Sequence, residues 1–199
     1  MKNIITNSLA QSYSYKEYRS VVAALLVEGK STGHQQSEDL TQYSLLNETR
    51  MNRLEKTMVI TPENQQKLQA LKGDYIWLVI SEGWCGDAAQ LLPIFHKMVE
   101  YSEAIELKIV LRDDNELLMN QFLTNGGKSI PKLIIVERES LKVLADWGPR
   151  PQGATDLIKN YKAEFGVIDE TAKINLQKWY LADKGISTQN ELITLMQQL

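Results

Sequence analysis

Residues 75–93 read YIWLVISEGWCGDAAQLLP, and they carry the strongest structural signal in the chain. The run at 75–80 is continuously apolar, which is typical of a strand covered on both faces of a sheet. Cys85 follows within a few residues, and a helical pattern then extends over residues 86–101. A sharp turn from a buried strand into a helix is therefore predicted at the cysteine.

Strands and helices alternate along the chain after this turn. The predicted elements are, in order, a strand at 105–111, a helix capped by Asp113 or Asp114 that runs to about residue 123, two strands at 133–136 and 141–144, and a helix at 153–165. The last two strands are close enough in sequence to pair as an antiparallel hairpin. This order predicts an α/β fold, with a central mixed sheet flanked by helices.

Further helical patterns lie on both sides of this unit. Apolar residues recur at helical spacing between residues 14 and 71, and Thr61 followed by Pro62 marks a fresh helix start. A short edge strand is predicted at 58–60. Two helices follow residue 167, and the second is introduced by the capping-box spacing of Thr188 and Glu191. We expect these helices to cover apolar surface of the core, which would bury Leu40, Leu46 and Met51.

The composition narrows the classes of function. With 199 residues, 43% of them hydrophobic and 24% charged, the chain can bury one sizeable core. Its 22 basic and 25 acidic residues give a formal charge of -3, which provides no basic field for nucleic-acid phosphates. The longest apolar run, at 21–27, is too short to span a bilayer. We therefore expect neither a nucleic-acid partner nor a membrane partner.

The cysteine content and the first residues bear on location and cofactors. Residues 1–8 are polar and lack the charged-then-apolar order of a secretory signal. Secreted frameworks use cysteines in pairs, whereas Cys85 is the single cysteine of this chain. A cytoplasmic location is predicted. His34 and His96 lie on unrelated elements and form no zinc-binding spacing with Cys85, so we predict no metal ion and no cofactor.

The turn into the helix resembles the active-site stretch of the thioredoxin family. Where thioredoxins carry a Trp-Cys-Gly-Pro-Cys sequence, this chain carries Trp84-Cys85-Gly86-Asp87-Ala88. Pro93, eight residues after Cys85, matches the proline that kinks the thioredoxin helix. The run Ser129-Ile130-Pro131, just before a predicted strand, is similar to the cis-proline turn of the family, and Gly148 falls near a family glycine.

The resemblance covers roughly residues 58–165 and implies a thioredoxin-like fold with extra N- and C-terminal helices. It divides the chain into an N-terminal helical extension at 1–57, a thioredoxin-like domain at 58–166 and a C-terminal helical extension at 167–199.

The resemblance also implies a site. A thiol at a helix N-terminus ionises more readily than free cysteine, and the thiolate of Cys85 is the reacting form. Gly86 would keep the sulfur approachable, and the ring of Trp84 would cover the rim of the site. A cis Pro131 would turn the backbone of Ile130 outward, where it can pair with an extended substrate strand.

Three departures from the family pattern bear on activity. Ala88 replaces the second cysteine, so a mixed disulfide on Cys85 could be released only by an outside thiol. Asp87 replaces the proline of the motif, and its carboxylate favours the helix start while raising the pKa of the nearby thiol. Val79 stands where thioredoxins carry a buried aspartate that helps to move the proton.

Other cysteine chemistries fit less well. A phosphatase loop needs an arginine six positions after the cysteine, where this chain has Leu91. Peroxiredoxins carry a threonine three positions before it, where this chain has Glu82. Monothiol glutaredoxins carry Cys-Gly-Phe-Ser, which Asp87 and Ala88 interrupt.

Two functions therefore stay open, and the retained Trp-Cys-Gly turn and proline favour the first. The first is a single-thiol (monothiol) disulfide exchange protein, in which Cys85 attacks a disulfide held along Ile130 and an external thiol reductant completes the cycle. Its partner is a protein or small-molecule thiol or disulfide. The second is a non-catalytic thioredoxin-like module that binds a peptide or partner through a degenerate site. The sequence leaves the oligomeric state open.

Three basic residues could also serve this site. Lys128 precedes the proline turn and is interpreted as a solvated loop residue. Arg50 and Arg53 lie one helical turn apart, and we expect them to pair with acidic neighbours rather than to face a groove.

Overall fold

The structure, a computed structural model, describes all residues from Met1 to Leu199 and contains four strands and nine helices. The strands are β1 (Tyr75–Ser81), β2 (Ile105–Leu111), β3 (Lys132–Glu137) and β4 (Val143–Trp147). The helices are α1 (Lys2–Ala10), α2 (Tyr15–Val27), α3 (Glu38–Thr57), α4 (Pro62–Gln69), α5 (Gly86–Val99), α6 (Glu116–Met119), α7 (Gln152–Phe165), α8 (Glu170–Asp183) and α9 (Ile186–Met196).

The four strands form one mixed sheet in the order β2-β1-β3-β4. Strand β1 pairs in parallel with β2 and antiparallel with β3, so Val79 lies between Ile109 and Leu133. Strand β4 pairs antiparallel with β3 at the edge. The α/β fold with a central mixed sheet flanked by helices, expected from the element order, is confirmed.

The apolar run of β1 forms the centre of the core. Every residue of β1 after Tyr75 is buried, which explains why this strand lacks the polar alternation of a half-exposed strand. Trp77 meets Phe95 of α5 edge to face, with ring centroids 6.2 Å apart, and Phe95 meets Trp147 of β4 in the same way at 5.9 Å. Helix α5, which begins at the cysteine motif, is thereby fixed against the sheet.

The N-terminal helices belong to the same apolar core. Ile5, Tyr18 and Met51 are buried in one cluster with the residues of the sheet. Leu40 is only partly buried, and the prediction of a buried Leu46 is wrong because 46% of this side chain is exposed. One stripe of α3 therefore packs on the core while another remains open to solvent.

The structure corrects the predictions for four elements. Helix α1 was not predicted at all, although Ile5 is fully buried. Residues 58–60 form no strand. Helix α6 is a single turn that starts at Glu116 and not at the predicted cap, Asp113 or Asp114. The backbone N–H of Asp113 donates to Glu82 Oε1 at 3.0 Å, which holds this residue in the turn before the helix. Strand β4 begins at Val143, since Leu141 takes a left-handed turn conformation with φ 57.

The predicted capping box at Thr188 and Glu191 is also wrong. Helix α8 ends with Lys184 as its C-cap residue, whose φ of 54 is left-handed, and α9 begins at Ile186 with Gly185 as its N-cap residue. Thr188 is buried inside the helix, and Glu191 accepts hydrogen bonds from Trp147 Nε1 and the backbone N–H of Gln152, both at 2.8 Å. The Glu191 carboxylate therefore links α9 to β4 at the edge of the sheet and does not cap the N-terminus of α9.

Helix α9 is tied to the loop before α4 by one buried side chain. Gln189 is fully buried, its Oε1 accepts from the backbone N–H of Thr61 at 3.2 Å, and its Nε2 donates to the carbonyl of Val59 at 3.1 Å. The buried amide therefore holds the C-terminal extension on the domain.

No helix combines the length and the apolar composition needed to cross a bilayer.

We expect Gln189→Ala to lower the free energy of unfolding by about 1 to 3 kcal/mol, because it leaves backbone groups at Thr61 and Val59 without partners. Chemical denaturation of the full chain measures this change. The matched control is Gln66→Ala on the exposed face of α4, which should have an effect within about 0.5 kcal/mol of zero. Equal losses in the two variants would contradict the assigned role of Gln189.

Candidate functional site

The N-terminal extension holds the turn that carries the cysteine motif. The backbone N–H of Gly83 donates to Thr32 Oγ1 at 2.7 Å, and the carbonyl of Gly83 accepts from Asn47 Nδ2 at 2.9 Å. Both peptide groups of this buried turn are therefore satisfied by side chains from the extension. The turn after β1 is fixed by residues more than thirty positions earlier in the chain.

Cys85 is the N-cap of α5, as the sequence predicts for a thioredoxin-like turn. Its side chain is 7% exposed. The sulfur donates to the carbonyl oxygen of Ile130 at 3.3 Å and accepts from the backbone N–H of Ala88 at 3.4 Å. The Ile130–Pro131 peptide bond is cis. The structure thus brings together Cys85, Ala88 and the Ile130–Pro131 turn, with Ala88 buried beneath the sulfur.

The surroundings of Cys85 favour its neutral form. Burial raises the pKa of the thiol to about 12, and the nearby carboxylate of Asp87 acts in the same direction. The backbone N–H groups of Ala88 and Asp87 and the guanidinium of Arg150 oppose this shift but do not cancel it. Burial and the Asp87 carboxylate, which raise the pKa of the thiol, therefore outweigh the N–H groups of the helix N-terminus, which lower it.

Asp87 is the most heavily bonded residue of the motif. It is 8% exposed, its Oδ1 accepts from the hydroxyl of Tyr180 at 2.8 Å, and its Oδ2 lies 2.7 Å from Arg150 Nη2. Burial and the adjacent carboxylate together raise the pKa of Tyr180, so its hydroxyl remains a donor. We call Asp87, Arg150 and Tyr180 the Asp87 cluster.

Sequence reasoning missed both partners of Asp87. Arg150 lies in the loop Gly148-Pro149-Arg150-Pro151, where Gly148 has φ 116 and a Cβ on it would lie 2.5 Å from the carbonyl oxygen of Pro131. Only glycine allows the loop to approach the proline turn this closely. The glycine and prolines around Arg150 could therefore have indicated from the sequence that this loop lies close to the proline turn. Nothing in the sequence of α8 distinguishes Tyr180 from its neighbours.

Trp84 and Gly86 lie on the outer side of the motif. Trp84 is partly exposed, and the guanidinium of Arg112 lies 4.8 Å from its ring centroid. A Cβ placed on Gly86 would lie 3.4 Å from Arg50 Nη1. Gly86 thus leaves room for an arginine of the N-terminal extension beside the motif.

A buried carboxyl, Glu82, lies between the motif and the N-terminal extension. It is fully buried, burial raises its pKa, and its Oε2 has no hydrogen-bond partner. A Cβ on Gly33 would lie 3.4 Å from this oxygen. Sequence reasoning used Glu82 only to exclude a peroxiredoxin and did not recognise it as a buried acid.

A cleft of about 770 Å³ lies beside the motif, and we call it the interhelical cleft. One wall is α3, the other is α8, and the floor includes Trp84, Gly86, Asp87, Gln90 and Arg150. The cleft is therefore formed where the two terminal extensions meet the cysteine motif.

The other candidates from the sequence lie apart from this site or differ from expectation. His34 bonds to Asp114, and His96 stacks on Tyr15. Lys128 forms a surface pair with Glu116. The expectation of salt bridges for Arg50 and Arg53 is wrong, because neither forms one and both line the interhelical cleft instead.

Fold and site together define a thioredoxin-like α/β protein with one cysteine in a Trp-Cys-Gly-Asp-Ala turn. A thioredoxin family model matches residues 33–162, which is more than half of the chain, and the chain belongs to this thioredoxin family. No curated protein matches the sequence significantly.

Two solved structures are similar in fold. A protein of unknown function from Pseudomonas aeruginosa is 19% identical, with a TM-score of 0.56 over 94% of this chain and 98% of the other. An HIV epitope scaffold is 18% identical, with a TM-score of 0.57 over 94% of this chain and 99% of the other. At this identity the likeness establishes the fold alone.

We expect Asp87→Asn to lower the pKa of Cys85, because the variant removes a negative charge beside the sulfur and leaves the guanidinium of Arg150 free to stabilise the thiolate. The rate of alkylation by iodoacetamide as a function of pH measures this pKa. The control is Glu139→Gln, which removes an exposed carboxylate elsewhere and should leave the profile unchanged. A pKa that rises or stays the same in Asp87→Asn would show that the carboxylate does not act on the thiol.

Proposed function

We propose that this protein is a non-catalytic thioredoxin-like binding module, in which the former active-site turn shapes a ligand-binding cleft and Cys85 remains a neutral thiol. The observation that carries this proposal is the enclosure of the Cys85 sulfur between the carbonyl of Ile130 and the first turn of α5. Of the two functions left open by the sequence, this arrangement favours the second.

The contacts of the sulfur argue against a nucleophile. A disulfide exchange protein reacts as the thiolate and needs an exposed sulfur. Here the sulfur is 7% exposed and donates to the Ile130 carbonyl, whose negative oxygen would repel a thiolate at 3.3 Å. Ala88 supplies no second thiol to release a mixed disulfide. Val79, at the position of the proton-moving aspartate of the family, is fully buried and apolar.

The role of Asp87 supports a binding function. Its carboxylate joins the motif to the loop after β4 through Arg150 and to the C-terminal extension through Tyr180. Both extensions contribute a wall to the interhelical cleft, and its volume of about 770 Å³ is within the range of small-molecule sites. Three residues of the motif, Trp84, Gly86 and Asp87, line this cleft, whereas Cys85 does not.

Monothiol disulfide exchange is the second candidate, and two contacts favour it. The N–H of Ala88 points to the sulfur at 3.4 Å, and Arg150 lowers the pKa of the thiol. In this cycle the Cys85 thiolate would attack a substrate disulfide and release one substrate thiolate. An external thiolate would then attack the substrate sulfur of the mixed disulfide, form a new disulfide with it and release Cys85 as the thiolate.

Alkylation kinetics distinguish the two candidates. For a pKa of about 12 in place of the ordinary value of 9.0, the thiolate fraction of Cys85 below pH 9 is about a thousandfold smaller than that of free cysteine. We expect the rate of reaction with iodoacetamide to rise about tenfold per pH unit up to about pH 10. The same protein unfolded in urea provides the control and should react as free cysteine. A plateau near neutral pH would contradict the binding module and support exchange chemistry.

Turnover gives a second, independent test. With a small disulfide as substrate and a supplied thiol as reductant, we expect the wild type and Cys85→Ser to give the same rate, because a neutral buried thiol does not take part. Disulfide reduction is followed as release of the substrate thiol. A higher rate for the wild type than for Cys85→Ser would overturn the proposal.

A further inference from the structure

The walls of the interhelical cleft are two helix faces that leave apolar side chains exposed, with Lys173 of α8 lying 5.9 Å from the ring centroid of Tyr43 of α3. Tyr43 and Leu46 of α3 are 44% and 46% exposed, and Ile174 and Leu181 of α8 are 48% and 59% exposed. All four line the cleft. Two helices from opposite ends of the chain therefore expose apolar side chains toward one space. Single apolar residues are common on protein surfaces, but a group of them around one cleft is typical of a binding site.

The cleft is also strongly cationic. Its lining includes five basic side chains, Arg50, Arg53, Arg150, Lys173 and Lys178, but only two carboxylates, Asp87 and Glu170. Asp87 is occupied by Arg150, and Glu170 lies 3.3 Å from Lys173. The chain as a whole carries a formal charge of -3, so this local excess of positive charge runs against the charge of the protein.

Three of these cations form no salt bridge: the exposed Lys178 of α8, and Arg50 and Arg53, which lie together on α3. Arg50 is partly buried and makes one side-chain hydrogen bond, from Nη1 to Asn47 Oδ1 at 2.9 Å. Burial and the neighbouring charge of Arg53 lower the pKa of Arg50, and the carboxylate of Asp87 opposes this shift without cancelling it. Arg53 forms no ion pair and no side-chain hydrogen bond. Arg53 is exposed, whereas Arg50 is partly removed from water without an ion pair, which costs free energy that an anion in the cleft would offset.

The two arginines lie one turn apart on α3, and Leu46 lies one turn before Arg50. An anionic group held by Arg50 and Arg53 would thus continue directly into the apolar part of the cleft. Guanidinium groups bind carboxylates and phosphates through paired hydrogen bonds, which suits either headgroup. The volume of about 770 Å³ fits a small molecule.

From this arrangement we infer that the interhelical cleft binds a small anionic amphiphile, with its carboxylate or phosphate group on Arg50 and Arg53 and its apolar body between Leu46, Ile174 and Leu181. The inference rests on the proposed binding function and adds to it the chemical class of the ligand. Cys85 takes no part in this recognition.

Binding to the full chain is measured by isothermal titration calorimetry with octanoate, octyl phosphate and 1-octanol as probes. The three share an alkyl chain and differ in the headgroup, so the two acids identify the preferred anion. We expect the preferred anion to bind at least about tenfold tighter than the alcohol, and its affinity to fall as salt is added.

Two variants and their matched controls locate the bound probe. Arg53→Gln should weaken binding of the anions by about tenfold or more, whereas Lys56→Gln, which removes an exposed charge of α3 outside the cleft, should not. Leu181→Ser should weaken binding of all three probes, whereas Leu117→Ser, at a similarly exposed site outside the cleft, should not. Because Arg53 and Leu181 are exposed, we expect unchanged melting temperatures.

Three results would overturn the inference: no binding of either acid, equal loss of affinity in Arg53→Gln and Lys56→Gln, or binding of 1-octanol as tight as that of the acids. In the last case, sensitivity to Leu181→Ser alone would leave the cleft as an apolar binding site and the proposed function intact. Conversely, rapid alkylation of Cys85 at neutral pH would contradict the proposed non-catalytic function without altering the affinity for the acids.

Discussion

The buried carboxylate of Asp87 connects three parts of the chain that are far apart in sequence. It sits in the first turn of α5, where the unpaired N–H groups of the helix favour a negative charge. A carboxylate in this position must also be paired, because an isolated buried charge is costly. Arg150 supplies the counter-charge from the loop after β4, and Tyr180 supplies a hydroxyl from α8. The motif, the proline-rich loop and the C-terminal extension are held in one arrangement as a result.

This arrangement places opposing effects on the thiol of Cys85. The helix N-terminus still directs the N–H of Ala88 to the sulfur. Burial and the charge of Asp87 act against it and are the larger effects on the thiol pKa. The same carboxylate that joins the extension to the domain therefore disfavours the thiolate. The structural and the chemical roles of Asp87 are coupled, because the charge that stabilises the start of α5 also raises the pKa of the neighbouring thiol.

The terminal extensions change what surrounds the motif. Thr32 and Asn47 fix the turn at Gly83 from one side, and Tyr180 fixes Asp87 from the other. Between them the extensions leave an open cleft whose floor includes Trp84, Gly86 and Asp87 of the motif. Helices α3 and α8 each bury one stripe on the core and expose another toward the cleft, which explains why Leu46 is exposed although its spacing fits a buried helix face. The helices on both sides of the domain thus form the walls of the cleft.

Local pattern was enough to predict the buried strand β1, the turn at Cys85, the start of α5 and the mixed sheet, because apolar periodicity and helix-capping chemistry depend on neighbouring residues. It failed for Leu46, which has the spacing of a buried residue, and for Glu191, whose capping spacing is used for a contact with Trp147 instead. The partners of Asp87, the protonation state of Cys85 and the unpaired arginines of α3 were decided by the tertiary structure alone. Each depends on burial and charge supplied by residues distant in sequence, such as Tyr180, which lies 93 positions after Asp87, and no local pattern records such a contact.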